Sequence, residues 1–274
     1  MIVVTGATGN VGRPLVQALV GAGEKVTAVS RRPAADASDG VVHLQADLLH
    51  PESLEPALDG ADALFLLTSA EFHAGGRDLA GVLDVARAGG VRRVVLLSSH
   101  GVGTGRHPSD LEVAVTGSGM GWTLLRPGGF ASNDLAWTEP VRARRTVFAP
   151  FPDVAVPVVD PADIADVAAA VLLDDGHTGR TYELTGPAPI SPRQRVAAIG
   201  AALGAQVRLV EQSRAEAKAQ MLQFMPERVV EATLDALGEP TPAEQRVSPD
   251  VQRVLGRPPR AYAEWVGRNV AAFL

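Results

Sequence analysis

Through the first 130 residues, short apolar runs take turns with segments of helical character. The runs are Ile2–Thr5, Val26–Ser30, Val41–Gln45, Ala63–Thr68, Val94–Ser99 and Thr123–Arg126. They are unbroken rather than alternating, which predicts parallel strands covered on both faces. Between them the pattern predicts helices over Gly12–Ala22, Pro51–Leu58, Gly75–Ala88 and Ser109–Ser118. In the third of these, Leu79, Val82, Leu83 and Ala86 recur at helical spacing. Strand–helix alternation of this kind argues an α/β fold built on a doubly wound parallel sheet.

After Pro127 the rhythm changes. Residues 128–155 gather glycines, prolines, aromatics and arginines without a strong period. The stretch VAVPVVDPADIADVAAAVLL then predicts a strand followed by a helix, with Asp160 as N-cap and Pro161 at the first helical position. RTYELTG reads as one more strand. From Ser191 onward the chain reads as helices: Ser191–Leu203, Ser213–Met225, Pro226–Leu237 and a last one from about Arg260 to Leu274.

The first strand runs straight into VTGATGNVG, and the third glycine of that stretch opens a helix. Each glycine has a separate physical task. Gly6 permits the tight turn, Gly9 has no side chain to hold off a pyrophosphate, and Gly12 lets the helix pack closely on the strand. The helix N-terminus offers free N–H groups and partial positive charge to phosphates. The spacing is Gly-x-x-Gly-x-x-Gly, and no Gly-Lys-Ser/Thr follows, so this is not a P-loop. The second strand ends in Ser30, Arg31 and Arg32, where an NAD-preferring site places an acidic residue. A carboxylate would repel a 2′-phosphate, whereas a hydroxyl and guanidinium groups bind it. NADPH over NADH is the reading. Asp47, after the third strand, reads either as an acceptor for the adenine amino group, with Leu48 beside the ring, or as a helix cap before Pro51.

Composition narrows the function without naming it. The chain has 274 residues, enough for one large core with an appended lobe, and no cysteine, which excludes disulfides and thiolate chemistry. Its net charge is −6 and its arginines occur as scattered pairs, so nucleic acid is not a partner suggested by the balance. The six histidines lack metal-ligand spacing, and no metal is proposed. The opening MIVVTGATG carries no basic n-region, and no apolar run approaches the roughly 18 residues of a membrane span. A cytoplasmic protein is the expectation, with no membrane partner.

Taken together, VTGATGNVGRPLV, VSRRP, ADL, GVRRVVLLSS, GWTLLRPGGFASN, VVDPADIADVAAAVLL and YELTGPAPIS resemble the NmrA-like branch of the atypical short-chain dehydrogenase/reductases. The resemblance covers most of residues 1–192, and the late GRPPRAYAEWVGRN is similar to the tail of bacterial members. It implies a Rossmann domain over 1–130 plus about 155–185, and a small, mainly helical substrate-binding lobe over about 131–154 plus 186–274. It also implies, by position, that Gly6, Thr8, Gly9, Asn10 and Val11 meet the pyrophosphate, and that Ser30, Arg31 and Arg32 meet the 2′-phosphate. Asp47 and Leu48 would flank adenine, and Leu67, Thr68 and Ser69 would line the ribose side. Ser98 and Ser99 would end their strand beneath the nicotinamide, with Pro127, Gly128, Gly129 and Phe130 beside it. Members of the family include quinone and ketone reductases and also non-catalytic sensors of dinucleotide redox state.

One departure from the wider short-chain family is plain. Its members use a tyrosine four residues before a lysine, and this chain has no Tyr-x-x-x-Lys. Tyr182 is followed four later by Gly186, and Tyr262 by Val266; the positions where the pair belongs fall near Thr104 and Pro108. General acid help is worth about 10²–10⁴-fold, so its loss slows reduction without abolishing it. Ser99, which aligns with the family's catalytic serine, is left as a hydrogen-bond donor to the carbonyl. His100 or His107 offers a proton near neutral pH. The favoured source is the substrate itself, as a phenol adjacent to a ketone supplies one, with solvent completing the transfer and Ser99 assisting. Phe130, Trp137, Phe148, Phe151, Met221, Phe224 and Met225 fall in the segments the resemblance places over the nicotinamide; for Phe224 and Met225 the lobe's own core is the preferred reading. Asn133 is the polar residue assigned to a substrate oxygen. The expectation is an NADPH-dependent reductase of a small ketone or quinone, aromatic or polycyclic, by direct hydride transfer. The alternative is a non-catalytic NADP(H)-binding regulator.

Overall fold

The computed structural model describes residues 1–32, 40–69, 72 and 78–274. Nine strands are present among them: β1 (Ile2–Thr5), β2 (Val26–Ser30), β3 (Val41–Gln45), β4 (Ala63–Leu66), β5 (Arg93–Leu97), β6 (Gly121–Pro127), β7 (Thr146–Ala149), β8 (Arg180–Leu184) and β9 (Arg208–Glu211). The chain divides into two compact units. The first comprises Met1–Pro127, Pro161–Leu184 and Asp250–Arg257; the second comprises Gly128–Asp160, Thr185–Pro249 and Pro258–Leu274.

The first unit holds a seven-stranded parallel sheet in the order β3-β2-β1-β4-β5-β6-β8. This is the doubly wound α/β arrangement read from the pattern. Every residue of β1, β2 and β4 is buried, as their unbroken apolar runs require. Both edges are wetter: β3 leaves Val42 57% exposed, and β8 opens with two exposed residues. One main core gathers Leu54, Leu58, Leu64, Phe72, Leu79, Leu83 and Leu96 under the helix Ala80–Ala88. The start expected for that helix, at residues 75–77, lies outside the described residues. The helix Pro161–Leu173 is apolar nearly all round, with nine of its residues buried, and packs against the helix Gly12–Gly21. A late helix, Asp250–Leu255, is stapled to the same unit. Asp250 accepts from the Glu183 backbone N–H at 2.9 Å, and Arg257 reaches Asp163 at 2.8 Å.

The second unit is mainly helical, with β7 and β9 pairing in parallel as a two-stranded sheet. Its larger core joins Val141, Val147, Val196, Ile199, Tyr262, Trp265 and Phe273. Inside that core Asp134 is almost fully enclosed. Its carboxylate accepts from the Arg195 guanidinium at 2.7 Å and from the Tyr262 hydroxyl at 2.6 Å, while Arg195 lies 5.0 Å from the Trp137 ring centre. Burial pushes the Asp134 carboxyl above the usual carboxylate range, against the pull of Arg195 and Tyr262. Burial, with Asp134 beside it, likewise pushes the Tyr262 phenol up. Helix starts follow the sequence signals: Ser191 caps Pro192–Leu203 and Ser213 caps Arg214–Met221, each in a capping box.

Two expectations are corrected here. VAVPVV forms no strand; Val156 and Val159 make isolated bridges to Ile190 and Phe130. Pro157 between them removes a backbone donor that a ladder needs. The chain after Ser191 is also not wholly helical, because Arg208–Glu211 forms β9.

Candidate active site

The strand order reverses between β1 and β4, so their carboxyl ends open a crevice of the kind where open α/β sheets bind ligands. Gly6 and Leu67 follow those two strands. A single hydroxyl holds the two ends together: Thr5 Oγ1 donates toward the Phe65 and Leu67 carbonyls at 3.1 and 3.3 Å and accepts from the Leu67 N–H at 2.8 Å.

The glycine turn has the shape its sequence calls for. Gly6 adopts φ +63°, a left-handed conformation that L side chains rarely tolerate. A Cβ on residue 12 would stand 2.2 Å from the Gly6 oxygen, and one on residue 9 would stand 3.2 Å from it. Gly9 N–H donates to the Gly6 carbonyl at 3.0 Å and closes the turn. Val11 is the helix N-cap and its side chain makes no capping bond, so backbone N–H groups of the first turn receive no side-chain cap. Beside them lies a cavity of about 250 Å³ lined by Thr8, Gly9, Asn10, Arg13 and Pro14. A bare main-chain surface, exposed Thr8 and Asn10, and an adjacent guanidinium fit a diphosphate. Arg13 escaped the sequence reading; the signal was a basic residue directly after the third glycine.

Around this turn the other expected cofactor residues fall in varied roles. Ser30 ends β2 buried, and its hydroxyl donates to the Arg32 carbonyl at 2.8 Å, which holds the turn that presents exposed Arg31 and Arg32. Asp47 Oδ1 accepts from the Leu49 N–H at 3.0 Å, so this carboxylate braces its own turn ahead of Pro51. Leu48 packs partly against the main core. Thr68 and Ser69 are half-buried beyond β4, and Ser69 Oγ accepts from the Phe72 N–H at 3.2 Å.

The end of β5 separates two neighbouring serines. Ser98 donates to Glu112 at 2.5 Å, and Arg126 grips the same carboxylate through two bonds of 2.9 and 2.6 Å. Burial would raise the Glu112 pKa, but Arg126 and Ser98 outweigh it and hold the carboxyl below its ordinary value. Ser99 faces a different partner: its Oγ lies 2.8 Å from His107 Nδ1. His100 is 7% exposed, with Nε2 3.8 Å from a Glu183 oxygen, so its ring is directed to the β8 side rather than to Ser99's partner.

Pro127 ends the first unit, and Gly128, Gly129 and Phe130 begin the second. There Gly129 and Ala131 flank a parallel bridge from Phe130 to Val159. The expected substrate-side residues occupy several places in this unit. Trp137 joins the larger core, and Phe148 sits half open on β7. Met221, Met225 and Phe151 pack together over Ala217, Val230 and Leu234. Asn133 is exposed, with its backbone tied to the Phe130 carbonyl at 3.1 Å. Phe224 is 70% exposed, which overturns its reading as core. Among the described residues no helix is long and apolar enough to cross a membrane, and no cluster suited to a metal ion occurs.

Residues 6–175 match the family model described as NAD(P)H-binding. The chain is 37% identical over 283 residues to a (4-alkanoyl-5-oxo-2,5-dihydrofuran-3-yl)methyl phosphate reductase of Streptomyces griseus, covering 100% of this chain and 99% of that protein. It is 33% identical to an NAD(P)H azoreductase of Xenophilus azovorans, again covering 100% and 99%. Among solved structures, an NADPH-dependent quinone oxidoreductase of Escherichia coli complexed with NADPH superposes with a TM-score of 0.82 at 28% identity, covering 98% and 99% of the two chains. The protein thus belongs to the NAD(P)H-binding family and is an NAD(P)H-dependent oxidoreductase.

Proposed function

We propose that the protein is an NADPH-dependent reductase of conjugated carbonyl compounds, quinones first and aromatic ketones second, working without a Tyr/Lys pair. The observation that carries this reading is where the two tyrosines are. Tyr262 is committed to Asp134 inside a core, and Tyr182 bonds His177 at 2.7 Å. Neither has a lysine four residues on, and the chain's lysines are Lys25 and Lys218.

The bound coenzyme supplies the hydride. What the protein must then manage is the charge left on the acceptor. On an isolated ketone that charge is an alkoxide, which needs a proton at once. On a quinone it is a phenolate, whose conjugate acid has a pKa of about 10, close to that of tyrosine. Such an anion waits for solvent, so a quinone reductase tolerates the loss of the pair. The names of the relatives specify a quinone, an azo compound and an acylated oxo-dihydrofuran, acceptors that share conjugated multiple bonds.

The coenzyme would be held by the Gly6–Gly12 turn with Arg13 at its diphosphate and by Ser30, Arg31 and Arg32 at its 2′-phosphate. Asp47 and Leu48 would lie at adenine, and Leu67, Thr68 and Ser69 along the ribose. Ser98, Pro127, Gly128, Gly129 and Phe130 complete the proposed set. Phe130, Asn133, Trp137, Phe148, Met221 and Phe224 remain the substrate-side assignment. Steady-state oxidation of NADPH with a graded panel of quinones, aryl ketones and aliphatic ketones tests the reading. Quinones should exceed aliphatic ketones by roughly 10²–10⁴ in kcat/KM. Tight NADPH binding with no turnover anywhere on the panel would instead make the protein a dinucleotide-sensing regulator.

A further inference from the structure

We infer that His107 is a positioning and proton-supplying residue that acts through Ser99, and that this pair extends the reductase from quinones to acceptors that need a proton. The inference rests on the reductase reading above.

Ser99 follows β5 in extended backbone, φ −145° and ψ 153°, and begins the short helix His100–Gly103. A serine at a helix start usually turns its hydroxyl onto the backbone. Here the side chain makes no capping bond, and Oγ instead lies 2.8 Å from His107 Nδ1. The eight-residue reach is built by the loop. Arg106 and His107 both donate their backbone N–H to the Gly101 carbonyl, at 2.8 and 2.9 Å, which folds the loop back over that glycine. A Cβ on residue 101 would stand 2.5 Å from His107 Nδ1. A side chain there would therefore drive the imidazole off Ser99. His107 is exposed while Ser99 is half-buried, so the pair joins a sheltered hydroxyl to a ring in contact with solvent.

The proton balance follows. A hydride added to the acceptor carbon sends the carbonyl π pair onto oxygen. Ser99 gives its hydroxyl proton to that oxygen, and Oγ takes the Nδ1 proton of the His107 imidazolium. The neutral ring is then reprotonated from water. In sum the acceptor gains one hydride and one proton, and Ser99 is left unchanged. For this the Nδ1–H must point to Oγ, which leaves the serine hydrogen for the acceptor.

A double-mutant cycle tests the pair: Ser99→Ala, His107→Ala, the double variant, and His107→Asn, whose amide restores a hydrogen bond without a titrating proton. Each single alanine variant should lower kcat on an aryl ketone about 100-fold, with a much smaller loss on a quinone and unchanged NADPH affinity. The double variant should be no worse than either single one, and His107→Asn should recover only part of the loss. A second readout needs no turnover: in nitrogen NMR of the coenzyme-free protein, Ser99→Ala should shift the His107 Nδ1 resonance and leave Nε2 nearly unmoved. Additive losses in the double variant, equal losses on both acceptors, or an Nδ1 resonance that Ser99→Ala leaves in place would overturn the inference. If the unmodified protein reduces nothing while the NMR shift appears, the reductase reading has failed and takes the catalytic role of the pair with it. If quinones turn over and the ketone losses do not couple, only the pair has failed.

Discussion

The carbonyl oxygen of Gly6 occupies the space that a side chain on residue 12 would need, only 2.2 Å from the position of such a Cβ. Gly9 stands apart from this pair, with 3.2 Å to the same oxygen. Two glycines of one turn thus answer different demands, one set by the fold and the other by whatever rests on the fold.

Gly12→Ala should therefore damage the protein itself. No flexible side chain is available to give way, since the clash is with backbone. A loss of at least 3 kcal/mol is expected, comparable to severe overpacking, and read as a fall in melting temperature. Gly9→Ala should cost the fold far less, since the same oxygen need yield only slightly to a Cβ at 3.2 Å, and should weaken coenzyme binding in a fluorescence titration. Equal melting points for the two variants would contradict this division.

Arg31 and Arg32 stand exposed at a turn that Ser30 braces through the Arg32 carbonyl. Replacing both by alanine should weaken NADPH by about 10–100-fold, the worth of one or two charge-assisted bonds, and leave NADH within about threefold. Parallel titrations with the two coenzymes decide the point. Equal weakening would remove the assignment of these residues to a 2′-phosphate.

Glu112 is gripped by Arg126 and Ser98, and its carboxyl is held below the ordinary value despite burial. A lowered folded-state pKa gives stability that is present above the unfolded value, about 4.5, and disappears as pH falls through the folded one. Glu112→Gln should cost about 3 kcal/mol at neutral pH. In denaturant melts, the gap between the parent and the variant should narrow as pH drops below about 4.5. A gap that holds constant down to acid unfolding would mean that the charge contributes nothing.

Tyr262→Phe removes the hydroxyl that donates to buried Asp134 at 2.6 Å. The loss of a bond to a carboxylate should cost about 1.5–3 kcal/mol. Because burial and Asp134 both push this phenol's pKa up, alkaline titration of tyrosine absorbance should show Tyr262 ionising only as the protein unfolds. A phenolate signal from Tyr262 in the folded protein would contradict the enclosed arrangement.

Much of the sheet was legible because buried parallel strands leave a local record. β1, β2 and β3 match their apolar runs residue for residue, and β4 and β5 differ only at their ends. The glycine turn was legible for a related reason, since its constraints act within seven residues. β7 and β9 left no such record. Each has four residues, and Thr146 pairs with Arg208 across a long intervening stretch, so neither signals its partner locally. Ser99 and His107 were both noticed, but their meeting was not. The two residues share no element, since the helix after Ser99 ends at Gly103, and the contact depends on a folded-back loop and on Gly101 lacking a Cβ. His100, the other histidine named as a proton source, faces Glu183 instead. Phe224 misled in the opposite way, as an apolar residue at a helix end that the fold leaves in water.

The seven-stranded sheet takes its last strand from residues 180–184, and the helix beside that strand comes from 250–255. A gene fragment stopping near residue 130 would end with β6 as an unprotected margin, its amides and carbonyls ready to recruit another chain. Aggregation of such a fragment is the outcome to expect. In a cell, the nascent chain faces the same hazard until residues 180–184 have left the ribosome, which makes the interval between synthesis of β6 and of β8 the one most dependent on chaperones.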